Sequence, residues 1–321
     1  MSYDVNIVIP TYNREHIIGE AIEAALQQSY TRSVVTVVDD GSSDNTGEEV
    51  GRFLHSDRVR YISLSENVGT AQAKNLAIAL NDCPFITFHD SDDLPSPNKI
   101  ARQVQIAKQQ DIKADPILNW ALTDSQPGSQ LSVDLVLNEH HFVDAQGKTH
   151  HMRRALSLVD DMFPNLQMAA GVPGDWILIN CGLFRASVFR DLGGFSGCIE
   201  EDRELRNRLI FNGRVLWLIP EVLMTKYECE DSLTVQSDTN YDSNLRASQR
   251  QVVWDAAMDF KQGRLPNPVT MDLTEIDIAC VSPTLRISQA LMTVESRHHL
   301  HRELNQAILP EARAQKARCT A

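Results

Sequence analysis

The first hundred residues alternate between short apolar runs and longer segments with helical spacing. The runs "VNIVIP", "SVVTVV", "VRYISL" and "FITF" are apolar or β-branched over most of their length, which predicts buried strands. Between them, "REHIIGEAIEAALQQSY", "GEEVGRFLHS" and "TAQAKNLAIALND" have the length and apolar spacing of helices. Strands that alternate with helices in this way predict a doubly wound α/β layer with a mostly parallel sheet flanked by helices.

Polar residues follow each predicted strand at the point where it ends. The four strands are followed by "PTYNRE", "DDGSSDNT", "SENVGT" and "DSDD". In open parallel sheets, ligands bind outside the carboxyl ends of the strands. We therefore expect these four segments to line a ligand crevice.

Three carboxylates crowd the end of the fourth strand: Asp90, Asp92 and Asp93. Carboxylates this close raise one another's pKa unless positive charge lies between them. A metal ion, a helix N-terminus or an arginine would each supply it, and carboxylate oxygens are the ligands that Mg²⁺ and Mn²⁺ prefer. The three sources of positive charge stay open at this point; for Asp93 a further alternative is a cap on the next helix.

The alternation of apolar strand-like runs with helical segments weakens from about residue 111 and resumes later in the chain. "WILINCGLFRASVFRDLGGF" predicts a strand and a helix, and "EEDRELRNRLIFNG" predicts a helix that buries Leu205, Leu209 and Ile210 and ends at Asn212-Gly213. "RVLWLIPEVLMTKYE" is rich in strand formers, and two further helices are predicted beyond about residue 240. We expect two halves of one domain, 1–110 and 111–235, and a C-terminal helical extension, 236–321.

Charge and composition narrow the classes of partner. The formal net charge of −13 argues against nucleic acid or an anionic membrane surface as the main ligand. The opening residues predict the first strand and not a signal peptide, and no run approaches the ~20 apolar residues of a membrane span. The expected location is cytoplasmic, with peripheral association at a membrane left open.

In order and spacing, six elements over about residues 5–235 resemble the family-2 inverting glycosyltransferases of GT-A fold. The elements are "VIPTYNRE", "VVDDGSSDNT", "ENVGTAQAKNLAI", "DSDD", "GLFRASVFRDLGGF" and "EEDRELRNRL". The resemblance implies a glycosyltransferase that moves a sugar from a nucleotide-diphosphate sugar to an acceptor hydroxyl with inversion. We expect a UDP-linked donor. The acceptor classes of the family are saccharides, lipid-linked glycans and proteins.

A nucleotide sugar needs a flat surface and hydrogen-bond acceptors for its base, and positive charge for its diphosphate. Tyr12 offers a stacking face, and Asp40 could accept a hydrogen bond from a base N–H. The alternatives are packing for Tyr12, and a turn or helix cap for Asp40 and its neighbour Asp39. The substrate-binding set that goes with the resemblance is Pro10, Thr11, Tyr12, Arg14, Asp40, Asn67, Gly69, Lys74, Asp90 and Ser91.

Within this set, Gly69 permits a tight turn into a helix whose N-terminus suits a phosphate oxygen. Lys74 stands where the family often has arginine, and a solvated helix lysine is the alternative to diphosphate contact. For a nucleotide-sugar donor we expect a divalent ion, Mn²⁺ or Mg²⁺, held by Asp92 with help from Asp90. The resemblance implies that Asp92 binds the ion directly and that Asp90 contacts the ribose or the water shell of the ion.

The catalytic base is expected in "EEDRELRNRL", which resembles the Glu-Asp motif of the family. The prediction is Asp202 as general base, with Glu201 or Glu200 as the second choice; the alternative is that these acids only favour a helix N-terminus.

One segment departs from the pattern of the family. Where members often carry Arg-x-His, this chain has "KYECEDSLT", with Glu228, Cys229 and Glu230 in place of a histidine; Lys226 could supply positive charge there.

Two other functions stay open at this point. A nucleotidyltransferase also sets paired aspartates around Mg²⁺, although "PTYNREHI" lacks a glycine-rich triphosphate loop, and a non-catalytic nucleotide-sugar-binding paralogue would fit the altered segment. The C-terminal helices are expected to pack on the domain or on a second subunit.

Overall fold

The computed structural model describes residues 3–109, 130, 132–152, 179–229, 235–264, 268–274 and 276–282. The backbone divides into two compact units. The first comprises Met1–Asp92, Ala186–Phe195 and Val269–Ala321, and the second comprises Asp93–Arg185 and Ser196–Pro268. The predicted functional halves, 1–110 and 111–235, concern binding roles and stay a prediction.

The described strands are β1 (Val5–Thr11), β2 (Ser33–Asp39), β3 (Val59–Leu64), β4 (Phe85–Phe88), β5 (Asp93–Pro95), β6 (Leu135–Val143), β7 (Thr149–Met152), β8 (Leu183–Arg185), β9 (Leu216–Tyr227) and β10 (Ile278–Ser282). The described α-helices are α1 (Ile18–Leu26), α2 (Thr46–Gly51), α3 (Thr70–Ala79), α4 (Lys99–Ala107), α5 (Ser187–Leu192), α6 (Glu201–Phe211) and α7 (Asn244–Lys261).

The first unit is built on a sheet with the strand order β10-β3-β2-β1-β4. The four strands β1 to β4 are parallel to their neighbours, and β10 is antiparallel to β3. Every residue of β1 and β2 is buried, because helices cover both faces of a sheet of this kind. The sequence prediction of a doubly wound, mostly parallel α/β layer is thus confirmed for this unit.

Helices α1 and α3 pack on this sheet in different ways. In α1 the apolar residues Ile18, Ala21, Ile22 and Ala25 form one buried stripe, as their spacing predicts. In α3 nearly every residue from Ala71 onward is buried, and the small side chains of its alanines let the backbone approach the sheet closely.

The second unit has a mixed sheet. Strand β6 lies parallel to β9 and antiparallel to β7 and β8, and the short strand β5 lies antiparallel to β9. Helix α6 buries Leu205, Leu209 and Ile210 and is followed by Asn212 and by Gly213 at φ 65°, as the sequence predicts.

The described C-terminal part contains one predicted helix and one strand that was not predicted. Helix α7 is the first of the two predicted helices, and the second lies outside the described residues apart from its first position. Strand β10 was not predicted by the periodicity; its pairing with β3 satisfies backbone groups that would otherwise form an open sheet edge.

A capping role for Asp93 is wrong. Asp93 lies in β5, only 1% exposed, with Oδ1 3.7 Å from Nζ of Lys226 in β9. Helix α4 begins six residues later, with Asn98 at its N-cap position. Asp93 thus belongs to a paired strand, and Asn98 takes the N-cap position of the helix.

A lysine lies in the core of the second unit. Lys99, at the start of α4, is fully buried, and its Nζ donates a hydrogen bond to Oε1 of Gln103 at 3.2 Å. The amide of Gln103 in turn donates to the backbone oxygens of Val136 and Cys181. Burial lowers the pKa of Lys99 from 10.5 to about 8, although Cys181 and Asp93 favour the charged form.

This burial predicts a distinctive pH dependence of stability. Because the pKa of Lys99 is lower in the folded state, its contribution to stability is present above pH 10.5 and is lost as the pH falls through about 8. Relative to Lys99→Met, which has no charge to bury, the wild-type free energy of unfolding should rise by about 3 kcal/mol across this window. Urea unfolding of both proteins at several pH values measures the difference; a difference that does not change with pH would contradict a buried, titrating lysine.

Candidate functional site

The carboxyl ends of β1 to β4 lie along one edge of the first unit. The parallel register pairs Thr11 with Asp39 and Asp39 with Ser63, so that β1, β2 and β3 end side by side. Strand β4 pairs with β1, Phe88 opposite Val8, and ends at the same edge. The four polar segments predicted to line a crevice are therefore brought together here.

Reciprocal hydrogen bonds join the loop after β1 to the loop after β2. Asn13 has a φ of 51°, and its N–H donates to Oγ of Ser42 at 2.8 Å while its Oδ1 accepts from the N–H of Ser43 at 2.8 Å. The N–H of Arg14 donates to Oγ1 of Thr46, also at 2.8 Å. A left-handed asparagine is uncommon and is held here by partners on both sides.

Asp39 is a structural carboxylate. It is 3% exposed, with Oδ1 accepting from the N–H of Ser42 at 2.9 Å and Oδ2 accepting from the hydroxyl of Tyr61 at 2.7 Å. Burial, together with this bond to Asp39, raises the pKa of Tyr61. The turn alternative that the sequence left open for Asp39 therefore describes its role.

Asp40 ties the end of β2 to the loop that precedes α3. Its two oxygens accept hydrogen bonds from the N–H groups of Val68 and Gly69 at 2.8 and 2.9 Å. Burial raises the pKa of Asp40, the two N–H groups oppose this, and the charge of Asp39 adds to the increase. Val68 and Gly69 lie 28 and 29 residues further along the chain, so Asp40 does not cap the helix that follows it directly in sequence. Its contact with a nucleotide base stays a prediction.

Gly41 lies where these two loops meet. Its φ is +72°, and a Cβ placed on it would lie 2.5 Å from the carbonyl carbon of Glu66. Any side chain here would separate the loop after β2 from the loop after β3.

The other predicted substrate-binding residues of the first unit differ in exposure. Pro10 and Thr11 are buried in β1, whereas Tyr12 is 44% exposed, which argues against a role as core packing. Asn67 is exposed, and Arg14 and Gly69 are half-buried, Gly69 with a φ of 92°. All of these positions lie at or next to the strand ends, and their contacts with a substrate stay predictions.

Lys74 is not a solvated lysine. It is 1% exposed, and its Nζ lies 5.0 Å from the centre of the Phe195 ring, a distance typical of a cation–π contact. Phe195 in turn meets Phe88, the last residue of β4, edge-on at 5.1 Å. The solvated alternative is therefore wrong, while diphosphate contact stays a prediction.

Sequence reasoning missed the neighbouring asparagine. The side chain of Asn75 accepts from the N–H of Phe195 at 2.7 Å and donates to its carbonyl oxygen at 2.9 Å. A Cβ on Gly194 would collide with the same side chain. Asn75 and Phe195 are 120 positions apart in the sequence. The sequence hinted at this contact only by placing an amide side chain on the apolar, alanine-rich helix α3.

The acidic segment after β4 begins with a buried residue. The N–H of His89 donates to the carbonyl oxygen of Val8 at 2.9 Å, which extends the pairing of β4 with β1. Asp90, Ser91 and Asp92 follow and are half-buried. Among the described residues, no group of three or more His, Cys, Asp or Glu side chains is arranged to hold a metal ion. Asp90 and Asp92 nevertheless supply hard oxygen ligands of the kind that Mg²⁺ and Mn²⁺ bind, with other positions left for substrate oxygens and water.

The predicted base lies in the second unit. Glu201 and Asp202 are half-buried in the first turn of α6, and Oδ1 of Asp202 accepts from the N–H of Arg203 at 2.7 Å. Glu200 differs, because it is 2% exposed and forms an ion pair of 2.7 Å with Nε of Arg203. A carboxylate held in this way is poorly placed to accept a proton from a substrate, which disfavours Glu200 as the base.

The segment that departs from the pattern is described up to Cys229. Lys226 has Asp93 as a charge partner, as given above, and Glu228 accepts a hydrogen bond from the N–H of Ala145 at 2.8 Å. Glu230 lies outside the described residues.

In the described part of the chain, no helix is both long enough and apolar enough to cross a bilayer.

Residues 6–115 match the family model described as Glycosyl transferase family 2. Among curated proteins, the chain is 36% identical over 131 residues to Glycosyltransferase GlyG of Streptococcus pneumoniae serotype 4 (strain ATCC BAA-334 / TIGR4), covering 40% of this chain and 43% of the relative. It is 38% identical over 104 residues to the UDP-Glc:alpha-D-GlcNAc-diphosphoundecaprenol beta-1,3-glucosyltransferase WfgD of Escherichia coli, covering 32% and 41%. These matches span about two-fifths of each relative.

Two solved structures share the fold. S. aureus TarS in complex with UDP-GlcNAc has a TM-score of 0.54 at 15% identity, covering 81% of this chain and 73% of that chain. The mannosyltransferase PcManGT from Pyrobaculum calidifontis, in complex with GDP-Man and Mn²⁺, has a TM-score of 0.52 at 18% identity, covering 100% and 76%. The predicted GT-A type of fold is confirmed by this likeness.

The close approach at Gly41 gives a prediction for the stability of the edge. Gly41→Ala should lower the free energy of unfolding by about 2–4 kcal/mol, because it adds a left-handed backbone penalty to a collision with Glu66. The control is Gly51→Ala in α2, where nothing lies within 4 Å of the new Cβ and the change should be within about 1 kcal/mol. Urea unfolding measures both; equal effects of the two substitutions would show that the loops do not meet as described.

Proposed function

Because residues 6–115 match the family model described as Glycosyl transferase family 2, we propose that the chain transfers a sugar from a nucleotide-diphosphate sugar to an acceptor hydroxyl. One observation carries the proposal: the matched residues include the ends of all four parallel strands and the loops that follow them. This is where ligands bind in sheets of this type. The match favours glycosyl transfer over nucleotidyl transfer, the other enzymatic function considered.

The proposed donor is a UDP-linked sugar. TarS was solved with UDP-GlcNAc, PcManGT with GDP-Man, and WfgD is named for UDP-Glc, so activated sugars are the common theme among similar proteins. At this edge, Tyr12 presents an exposed ring on which a base can stack, and Asp40 is a buried acceptor that already orients two N–H groups. A pyrimidine with an imide N–H would add a donor of the same type.

We propose that Asp92, with Asp90, holds a divalent ion against the diphosphate of the donor. The support is their hard oxygen chemistry, their half-buried position after β4, and the Mn²⁺ in the complex of PcManGT. When bound, such an ion supplies Lewis-acid stabilisation of the departing nucleotide. The two carboxylates would hold this ion, and Ser91 between them is proposed to bind a hydroxyl group of the donor.

The proposed reaction is a single displacement with inversion. Asp202, with Glu201 beside it, accepts the proton of the acceptor hydroxyl as that oxygen attacks the anomeric carbon and the bond to the diphosphate breaks. Both carboxylates lie in the first turn of α6, at its N-terminus. The acceptor class, saccharide, lipid-linked glycan or protein, stays open in this proposal, as does peripheral association with a membrane.

The metal proposal predicts cation-dependent donor binding. Calorimetry of the whole chain with UDP-sugars should show binding that is strengthened by Mn²⁺, and Asp92→Asn should weaken it at least about 10-fold in the presence of Mn²⁺. Asp57→Asn, at an exposed position of the same unit, is the control and should bind as the wild type does. No binding of any UDP-, GDP- or other activated sugar, with or without Mn²⁺ or Mg²⁺, would overturn the proposed function.

The base proposal predicts a separation of binding from turnover. Asp202→Asn should lower kcat by about 10²–10⁴-fold, because the amide cannot accept the acceptor's proton, while the affinity for the donor stays close to that of the wild type. Asp255→Asn, at an exposed position on α7, should leave both quantities unchanged. If neither the wild type nor the variant transfers sugar although both bind it, the chain is the non-catalytic binding paralogue instead.

A further inference from the structure

A buried ion cluster joins α7 to the start of α6, within the second unit. Glu200, at the N-cap position of α6, lies with Oε1 3.3 Å from Nη1 of Arg246 and 3.3 Å from Nη2 of Arg250. Its other oxygen forms the 2.7 Å ion pair with Arg203. One carboxylate thus meets guanidinium groups from both helices.

The same face of α7 makes a further contact with this segment. Oε1 of Gln249 accepts a hydrogen bond from the N–H of Ile199 at 2.6 Å. Arg246, Gln249 and Arg250 are spaced three and four residues apart, so they lie on one face of the helix. This face of α7 therefore binds the backbone of Ile199 and the side chain of Glu200, the two residues that precede α6.

The cluster is well shielded from water. The side chains of Glu200, Arg203 and Arg246 are 3%, 4% and 8% exposed, and Arg250 is 22% exposed. Burial lowers the pKa of Arg203 to about 9, although Glu200 favours its charged form. Three guanidinium groups share the single carboxylate of Glu200, so the positions of all three depend on it, and Glu200 in turn is held from both helices.

We infer that α7, through Arg246, Gln249 and Arg250, is a positioning element for the reaction. Glu200 is joined by one peptide bond to Glu201 and is two residues from Asp202, the pair that bears the base in the proposed function, on which this inference rests. Holding Glu200 and Ile199 fixes where α6 begins and hence where both carboxylates stand. Misplacement of a reacting group by about 1 Å can cost about 100-fold in rate.

The test uses Arg250, the most exposed member, because its substitution is the least damaging to folding. Arg250→Gln should lower kcat by about 10- to 100-fold and leave the affinity for the nucleotide sugar, measured by calorimetry, within about twofold. Arg250→Lys, which keeps the charge, should restore part of the rate. Arg264→Gln is the matched control. Arg264 lies just beyond α7 and forms an exposed ion pair with Asp259, so its substitution should change neither kcat nor donor affinity.

A double-mutant cycle separates positioning from general loss of stability. If Arg250 acts through Glu200, the kcat of Glu200→Gln combined with Arg250→Gln should be much higher than the two single losses would predict if multiplied. Hydrogen exchange of the full chain should show faster exchange at the N–H groups of 199–204 in Arg250→Gln, with β1 to β4 unchanged.

The outcomes distinguish the inference from the proposed function. An active wild type with an unchanged kcat in Arg250→Gln overturns the positioning role and leaves the proposed function intact. Equal losses in Arg250→Lys and Arg250→Gln, or multiplicative losses in the double variant, also overturn it. An inactive wild type that binds no activated sugar overturns the proposed function. In that case, unchanged hydrogen exchange at the N–H groups of 199–204 in Arg250→Gln would show that Arg250 does not hold the start of α6.

Discussion

The candidate site depends on the two hydrogen bonds that the N–H groups of Val68 and Gly69 donate to Asp40. They join the end of β2 to the turn that begins α3, across 28 and 29 residues of chain. They connect the loops after β2 and β3 through a side chain next to the point where Gly41 packs against the backbone of Glu66. Keeping a carboxylate buried is costly, and the two N–H groups offset that cost.

Burial divides the acidic residues of the first unit by role. Asp39 and Asp40 are 3% and 4% exposed and have backbone and hydroxyl donors, so their charge stabilises the loops themselves. Asp90 and Asp92 are half-buried at the end of β4, where an ion or a ligand can reach them. Asp39 thus stabilises the scaffold, Asp40 does so and is also proposed to bind the base of the donor, and Asp90 and Asp92 are proposed to take part in substrate chemistry.

The sequence predicted the elements of the first unit well because their signals are local. Continuous apolar runs and helical spacing were enough for β1 to β4 and for α1 to α3, and the ends of these strands indicated where the candidate site lies. The predictions that failed or were missing concern long-range contacts. Lys74 reads as a surface lysine until Phe195 covers it, and Asn75 has no visible purpose until the chain returns 120 residues later. Asp93 looks like a helix cap until β9 pairs with β5.

The two ends of the proposed reaction differ in how far sequence patterns can describe them. The family match stops at residue 115, so it covers the donor side and not α6 or α7. The proposed donor contains a nucleotide diphosphate, a group that many enzymes bind. The residues that bind such a group can lie close together in sequence, so short motifs can indicate them. Placement of the proposed base would instead rely, as we infer, on ion pairs between Glu200 and α7, which span 46 and 50 residues. Such pairs can be replaced by other packing that holds the same helix start, so a conserved local pattern is not needed to specify them.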